Sequence, residues 1–183
     1  MTTPTIGRLA TVPARTRPDL LAGPVKTALS SSTAEVYVAE IDPTLADTAA
    51  FCAAYDVAPE ESANCVVVAG KREGEPRVAA SLILATTRAD VNGIVRRRLG
   101  VRKASFLAMD DAVSQTGMEY GGITPLGLPG DWRILVDPAV AALPFAVVGS
   151  GLRGSKLAVP GPVLATWPGA EVVDGLGRPV QQA

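Results

Sequence analysis

The chain contains no histidine. That absence removes the Ser-His-Asp and Cys-His arrangements of nucleophilic catalysis, and it takes the usual nitrogen ligand away from common zinc sites. Any chemistry falls to lysine, carboxylate, hydroxyl, backbone amide or the substrate itself. Aromatic residues make up only 4% of the chain, too few for base stacking to dominate a nucleic-acid surface. The two cysteines, Cys52 and Cys65, each sit among Ala or Val, a setting that suits small buried side chains better than a disulfide or a metal pair. Although 48% of the residues are hydrophobic, no apolar run reaches the length of a membrane span. The first residues, M-T-T-P-T-I-G-R, lack the basic start and apolar core of a secretion signal, so the expectation is a cytoplasmic protein without a membrane partner. A net charge of −1 argues against a broad, nonspecific nucleic-acid surface of the kind that holds DNA, and leaves a local basic patch as the way to hold RNA phosphates.

The 183 residues fit one domain with a proper core. Residues 1–33, rich in Thr, Pro, Ser and Arg, read as an N-terminal extension that wraps the domain, with a helical patch from Asp19 to Leu29; residues 34–183 form the domain itself. Glu35 to Ile41 alternates like a strand, and Asp42-Pro43 opens a helix through Tyr55. Asn64 to Ala69 and Val78 to Ala85 are β-branched runs joined by a charged turn, which predicts an antiparallel hairpin. Thr86-Thr87 caps a helix from Ala89 to Leu99, stopped by Gly100 in the left-handed conformation. Arg102 to Phe106 is a short strand, and Asp110 caps one or two helical turns ending at Gly117. Strands follow at 132–136, 145–149, 156–159 and 171–173, with a short helix at 162–167. Strands in pairs with interspersed helices predict a mixed-sheet α/β or α+β domain rather than a regular βαβ series.

The stretch M-E-Y-G-G-I-T-P-L-G-L-P-G, Met118 to Gly130, organises the rest. Its glycines and two prolines are interleaved with the apolar anchors Tyr120, Ile123, Leu126 and Leu128, a pattern of ordered loop rather than linker. Gly121-Gly122 admits positive φ and close approach to bare backbone, whose amides can act as anion donors. A tight connection between two buried strands would use the same residues.

Three segments together, A-D-V-N-G-I-V-R-R-R-L-G-V-R-K-A-S-F, Y-G-G-I-T-P-L-G and V-V-G-S-G-L-R-G, resemble the YbaK/ProX family of aminoacyl-tRNA deacylases, related to the editing domain of bacterial prolyl-tRNA synthetases. The resemblance spans residues 34–175. It implies a curved, barrel-like mixed β-sheet with flanking helices and an enzyme that hydrolyses the ester of a mischarged aminoacyl-tRNA in trans, for translation quality control. No cofactor or metal is implied; the partners are aminoacyl-tRNA and a synthetase.

The resemblance also assigns roles. Gly121 and Gly122 match a glycine pair whose backbone lies against the scissile ester, where fixed amides stabilise an oxyanion. Attack by water or by the substrate itself needs no protein nucleophile, which suits a chain without histidine. A family lysine at the start of an early strand is replaced here by Asn64, which donates and accepts hydrogen bonds but supplies no cation. The change opens an alternative in which the protein is a catalytically impaired binding module for charged tRNA or an amino-acid-like ligand. Lys156 falls where family members can carry an acidic residue, and it offers to restore the missing cation from the other side of the pocket; a solvated lysine at a strand start is the other reading. Lys71 reads as a solvated turn residue. Thr124 and Ser150 offer hydroxyls for positioning water, or simply loop hydrogen bonds. Arg96, Arg97, Arg98, Arg102 and Lys103, with Arg153, form a basic cluster suited to steering the tRNA acceptor end, or a solvated helix face.

Overall fold

The computed structural model describes residues 3–180. Among them the strands are β1 (Val12–Pro13), β2 (Tyr37–Glu40), β3 (Ala63–Arg72), β4 (Glu75–Leu84), β5 (Thr87–Ala89), β6 (Ala104–Phe106), β7 (Arg133–Val136), β8 (Ala146–Gly149), β9 (Ser155–Val159), β10 (Ala170–Val172) and β11 (Gly177–Pro179). The α-helices are α1 (Gly23–Ser30), α2 (Thr48–Tyr55), α3 (Arg96–Leu99), α4 (Met109–Thr116), α5 (Pro138–Ala141) and α6 (Gly161–Ala165). One sheet runs β1-β2-β9-β8 and is antiparallel throughout; a second runs β10-β7-β4-β3-β6, parallel at β10-β7 and β7-β4; β11 and β5 pair separately. The α/β class holds. The barrel-like closure does not follow, because the two larger sheets touch through a single parallel bridge, Ser62 to Val147, and otherwise remain open among the described residues.

Alternation along the strands explains the layering. Val38, Leu82, Ile134, Val136, Val148, Leu157 and Val159 face one core, which also takes Leu20, Val25 and Leu29 from the N-terminal residues and Val140 and Leu164 from α5 and α6. Their neighbours turn the other way: Val68, Ile83 and Leu135 pack under Val95, Leu99 and Leu176, while Tyr37, Val147 and Ala158 pack under Phe51 and Cys52 of α2. Each sheet is therefore covered on both faces, which suits runs that are nearly all apolar.

The β3-β4 hairpin is longer than its β-branched runs suggest. Its ladder continues to Arg72 opposite Glu75, so the turn is only Glu73-Gly74. Both residues have positive φ, 54° and 85°, as a two-residue type I′ turn requires. Several expected boundaries shift. Thr87 lies in β5, paired with β11, so the cap of the next segment is Asp90, whose carboxylate accepts from the amides of Gly93 and Ile94. That segment begins as a π-helical turn, Val91–Val95, before α3. Gly100 and Gly117 both end helices in the left-handed conformation. Asp110 is not a cap but stands in the first turn of α4, after Ala108, where a carboxylate complements the helix dipole.

Candidate functional site

A cleft of about 450 Å³ opens between α2, the start of β3, the glycine loop and the β8-β9 pair. Asn64, Gly121, Arg153 and Lys156 line it together, with Asp47, Thr48 and Tyr120. A roomier hollow of about 740 Å³, walled by Trp132 and Trp167, contains no titratable side chain.

The cleft exists because two backbones are pressed together. Gly149 ends β8 opposite Lys156, and a Cβ there would lie 2.2 Å from the Gly122 carbonyl oxygen and 2.8 Å from that of Ile123. Only glycine permits this approach. Gly122 in turn has no room for a side chain, since its Cβ would sit 2.7 Å from the backbone of Leu152. Hydrogen bonds fasten the two loops: Gly151 donates to the Gly122 carbonyl at 2.7 Å and Glu119 donates to the Gly151 carbonyl at 2.8 Å. The Glu119 carboxylate accepts from the Arg153 amide at 2.6 Å. The Arg153 guanidinium then spans the cleft, donating to the carbonyls of Tyr120 and Pro43, each at 3.2 Å.

This clamping divides the glycine pair. The Gly122 amide donates to the Glu119 carbonyl at 2.9 Å, so it is not available to an oxyanion. The Gly121 amide has no acceptor among the described residues, and its φ of 85° holds it in a conformation that favours glycine. The two hydroxyls lie away from the cleft. Ser150 is fully buried and bonded to Ser155 at 2.7 Å. Thr124 is fully buried with no hydrogen-bond partner among the described residues. Neither lines the cleft.

Lys156 is 9% exposed. Its ammonium donates to the Ala46 carbonyl at 3.3 Å and stands 5.2 Å from the centroid of the Phe51 ring. Burial holds its pKa below that of a free lysine; nearby Cys52 opposes the shift and Arg153 adds to it. Asn64, the second residue of β3, accepts a hydrogen bond from the Thr48 hydroxyl at 2.7 Å. That leaves its NH₂ group as the end able to donate. Cys65, also in the wall, has a thiol that burial pushes up to about 12.

Asp47 and Thr48 line the cleft although the sequence does not mark them as site residues, and Tyr120, expected as an apolar anchor of the loop, is largely exposed instead. Asp47 caps α2, accepting from Ala49 and Ala50 through one carboxylate oxygen; Tyr120 is 57% exposed at the mouth. Of the basic cluster, Arg153 lines the cleft, while Arg96, Arg97, Arg98, Arg102 and Lys103 do not. Arg98 pairs with Glu171, Arg97 is exposed, and Arg102 and Lys103 line a separate groove. Among the described residues no group of three or more His, Cys, Asp or Glu could hold a metal ion, and no helix is long and apolar enough to cross a membrane.

The family described as the aminoacyl-tRNA editing domain matches residues 42–166. Among solved structures, hypothetical protein APE2540 shares the fold with a TM-score of 0.74 at 20% identity, covering 85% of this chain and 99% of its own. A protein described, provisionally, as a trans-editing enzyme for prolyl tRNA synthetase has a TM-score of 0.68 at 19% identity, covering 82% of this chain and 93% of its own. No curated protein matches the chain.

Proposed function

The chain belongs to the aminoacyl-tRNA editing domain family, and on that premise we propose that its cleft hydrolyses the ester of a mischarged aminoacyl-tRNA in trans. The observation that carries this reading is the meeting of Asn64, Gly121 and Lys156 at one cleft.

In the reaction the ester carbonyl oxygen turns toward the Gly121 amide and the Lys156 ammonium. A water oxygen, activated by a neighbouring substrate hydroxyl or a second water, adds to the carbonyl carbon. Negative charge gathers on the carbonyl oxygen, where a fixed donor in a partly dry site contributes about 3 kcal/mol. The bond from carbonyl carbon to ribose oxygen then breaks, the ribose oxygen takes the proton released by the water, and a free amino acid and an uncharged tRNA leave. The Asp47 carboxylate is the one acidic group lining the cleft among the described residues, placed to hold the substrate's α-ammonium. The Asn64 NH₂ group orients the carbonyl, and Lys156 supplies from β9 the cation that Asn64 lacks.

The test is amino-acid release from a panel of mischarged tRNAs, with Lys156→Ala alongside. Release that falls roughly a hundredfold in the variant supports the reading; no release from any tRNA, or release unchanged by the substitution, overturns it. The asparagine at position 64 favours one other reading, a binding module for charged tRNA. Saturable, salt-dependent binding without release would select it.

A further inference from the structure

The cations that do not reach the cleft gather elsewhere. A groove of about 1010 Å³ runs between the β3-β4 hairpin, the start of α3 and the edge strand β6. Lys71, Arg96, Arg102 and Lys103 line it against a single carboxylate, Asp111. None of these four cations forms an ion pair among the described residues, whereas Arg72, Arg98, Arg133 and Arg178 do. Nε of Arg96 is buried with no hydrogen-bond partner among the described residues. In a chain whose net charge is −1, four uncompensated cations around one hollow are a local anion site rather than a general basic surface.

The groove is built, not incidental. A Cβ on Gly70 would lie 2.5 Å from the Lys103 carbonyl oxygen and 2.6 Å from Val101, so the bare backbone of β3 lets the segment carrying Arg102 and Lys103 close over it. Beside the groove, on the same edge strand, Phe106 is 67% exposed, and Met109 beyond it is 51% exposed. β6 pairs with β3 alone among the described residues, so no strand covers its outer edge.

From this we infer that the groove is a second RNA contact: the cations hold the phosphate backbone of the substrate's acceptor arm while Phe106 stacks on an unpaired base. A phosphate track meets cations spaced along a strand edge, and an exposed aromatic beside it suits a base face rather than an acidic peptide. The position fits. Gly70 stands about 20 Å along β3 from Asn64, so an RNA held in the groove can send its short unpaired end to the cleft. The inference deepens the deacylase reading and takes its substrate class from it. It also redistributes the basic residues: Lys71 and Arg96 join the RNA site, and Arg98, tied to Glu171, leaves it.

The experiment measures binding of the full chain to an uncharged tRNA transcript across a salt titration, so the ester and the cleft chemistry play no part. Arg102→Ala/Lys103→Ala is compared with Arg15→Ala/Lys26→Ala, which removes equal charge from exposed positions elsewhere. Each phosphate contact contributes about 0.7–0.9 to the slope of log K against log salt. The groove pair should lower that slope by roughly 1.4–1.8, and the control pair should leave it alone. Phe106→Ala should weaken binding between about fivefold and a hundredfold without changing the slope. Equal slopes for the two pairs, or displacement of the RNA by polyglutamate as readily as by polyuridylate, would overturn the inference. Groove-dependent binding by a protein that releases no amino acid would sink the deacylase reading and leave this one standing.

Discussion

The Lys156 ammonium lies 5.2 Å from the centre of the Phe51 ring, a cation held over an aromatic face inside a protein wall. Contact of this kind recovers part of the hydration energy that burial removes. The recovery is incomplete, because burial still holds the lysine below its ordinary pKa of 10.5. In the window between that lowered value and 10.5 the unfolded chain binds more protons than the folded one, so folding stability gains with rising pH. Below the window the native state carries the full cost of a buried charge.

Lys156→Met should therefore be more stable than the parent at pH 7, with the difference shrinking as pH rises toward 10.5. Urea midpoints at several pH values measure it. A gap independent of pH would mean that the ammonium is as well solvated in the fold as in water.

Asn64 and Thr48 make a second prediction. The Thr48 hydroxyl donates to the Asn64 carbonyl oxygen at 2.7 Å, which fixes the amide and leaves its NH₂ end as the donor. Thr48→Val keeps the volume and removes the donor, so release of amino acid should slow by about tenfold, with most of the loss in kcat if the amide acts on the developing oxyanion. Asn64→Ala should cost more, about a hundredfold. Equal rates for Asn64→Ala and the parent would remove this residue from the mechanism.

Part of the fold is legible in the residues themselves. The hairpin announced itself through β-branched runs, and Gly100 and Gly117 marked helix ends because local chemistry decides those positions. What stayed hidden depends on distant parts of the chain. The strand at Thr87 exists only because Gly177–Pro179 pairs with it, and a Gly-Arg-Pro segment has little strand preference of its own. Asp47 looks like an ordinary helix cap until α2 is laid against β3. The arginine run reads as one patch, yet the π-helical turn and α3 send Arg96 and Arg98 to different surfaces. Lys156 is raised by the family resemblance, at a position where members can carry an acidic residue, while its burial follows from its place in β9.

Cys65 lines the cleft, yet its thiol is held at about 12 by burial. At pH 8 roughly one part in ten thousand is thiolate, against about a quarter for an unperturbed cysteine. Burial raises Cys52 as well. Native protein should thus resist iodoacetamide at pH 8 over hours and take up two equivalents once unfolded in guanidinium, as mass spectrometry would read. Rapid native labelling at Cys65 would instead mark an activated thiol in the site, and with it a covalent route to ester cleavage.

The closest backbone approach in the site tests how the cleft is held open. Gly149 faces the Gly122 carbonyl so closely that an added Cβ would come within 2.2 Å of its oxygen, and neither neighbour is a flexible side chain that could swing away. Gly149→Ala must push the glycine loop off β8, at a cost of about 3 kcal/mol for overpacking, or a melting point lower by roughly 6–12 °C in a domain of this size. Gly130→Ala, where a Cβ meets nothing within 4 Å, should change the melting point little and serves as the control. The displacement would also carry the Gly121 amide away from Lys156. Measured well below its new melting point, the Gly149→Ala protein should therefore have lost most of its amino-acid release, because a donor moved by an ångström no longer meets the oxyanion. Full release from a destabilised variant would show that the loop can shift without consequence, and that the Gly121 amide takes no part in the chemistry.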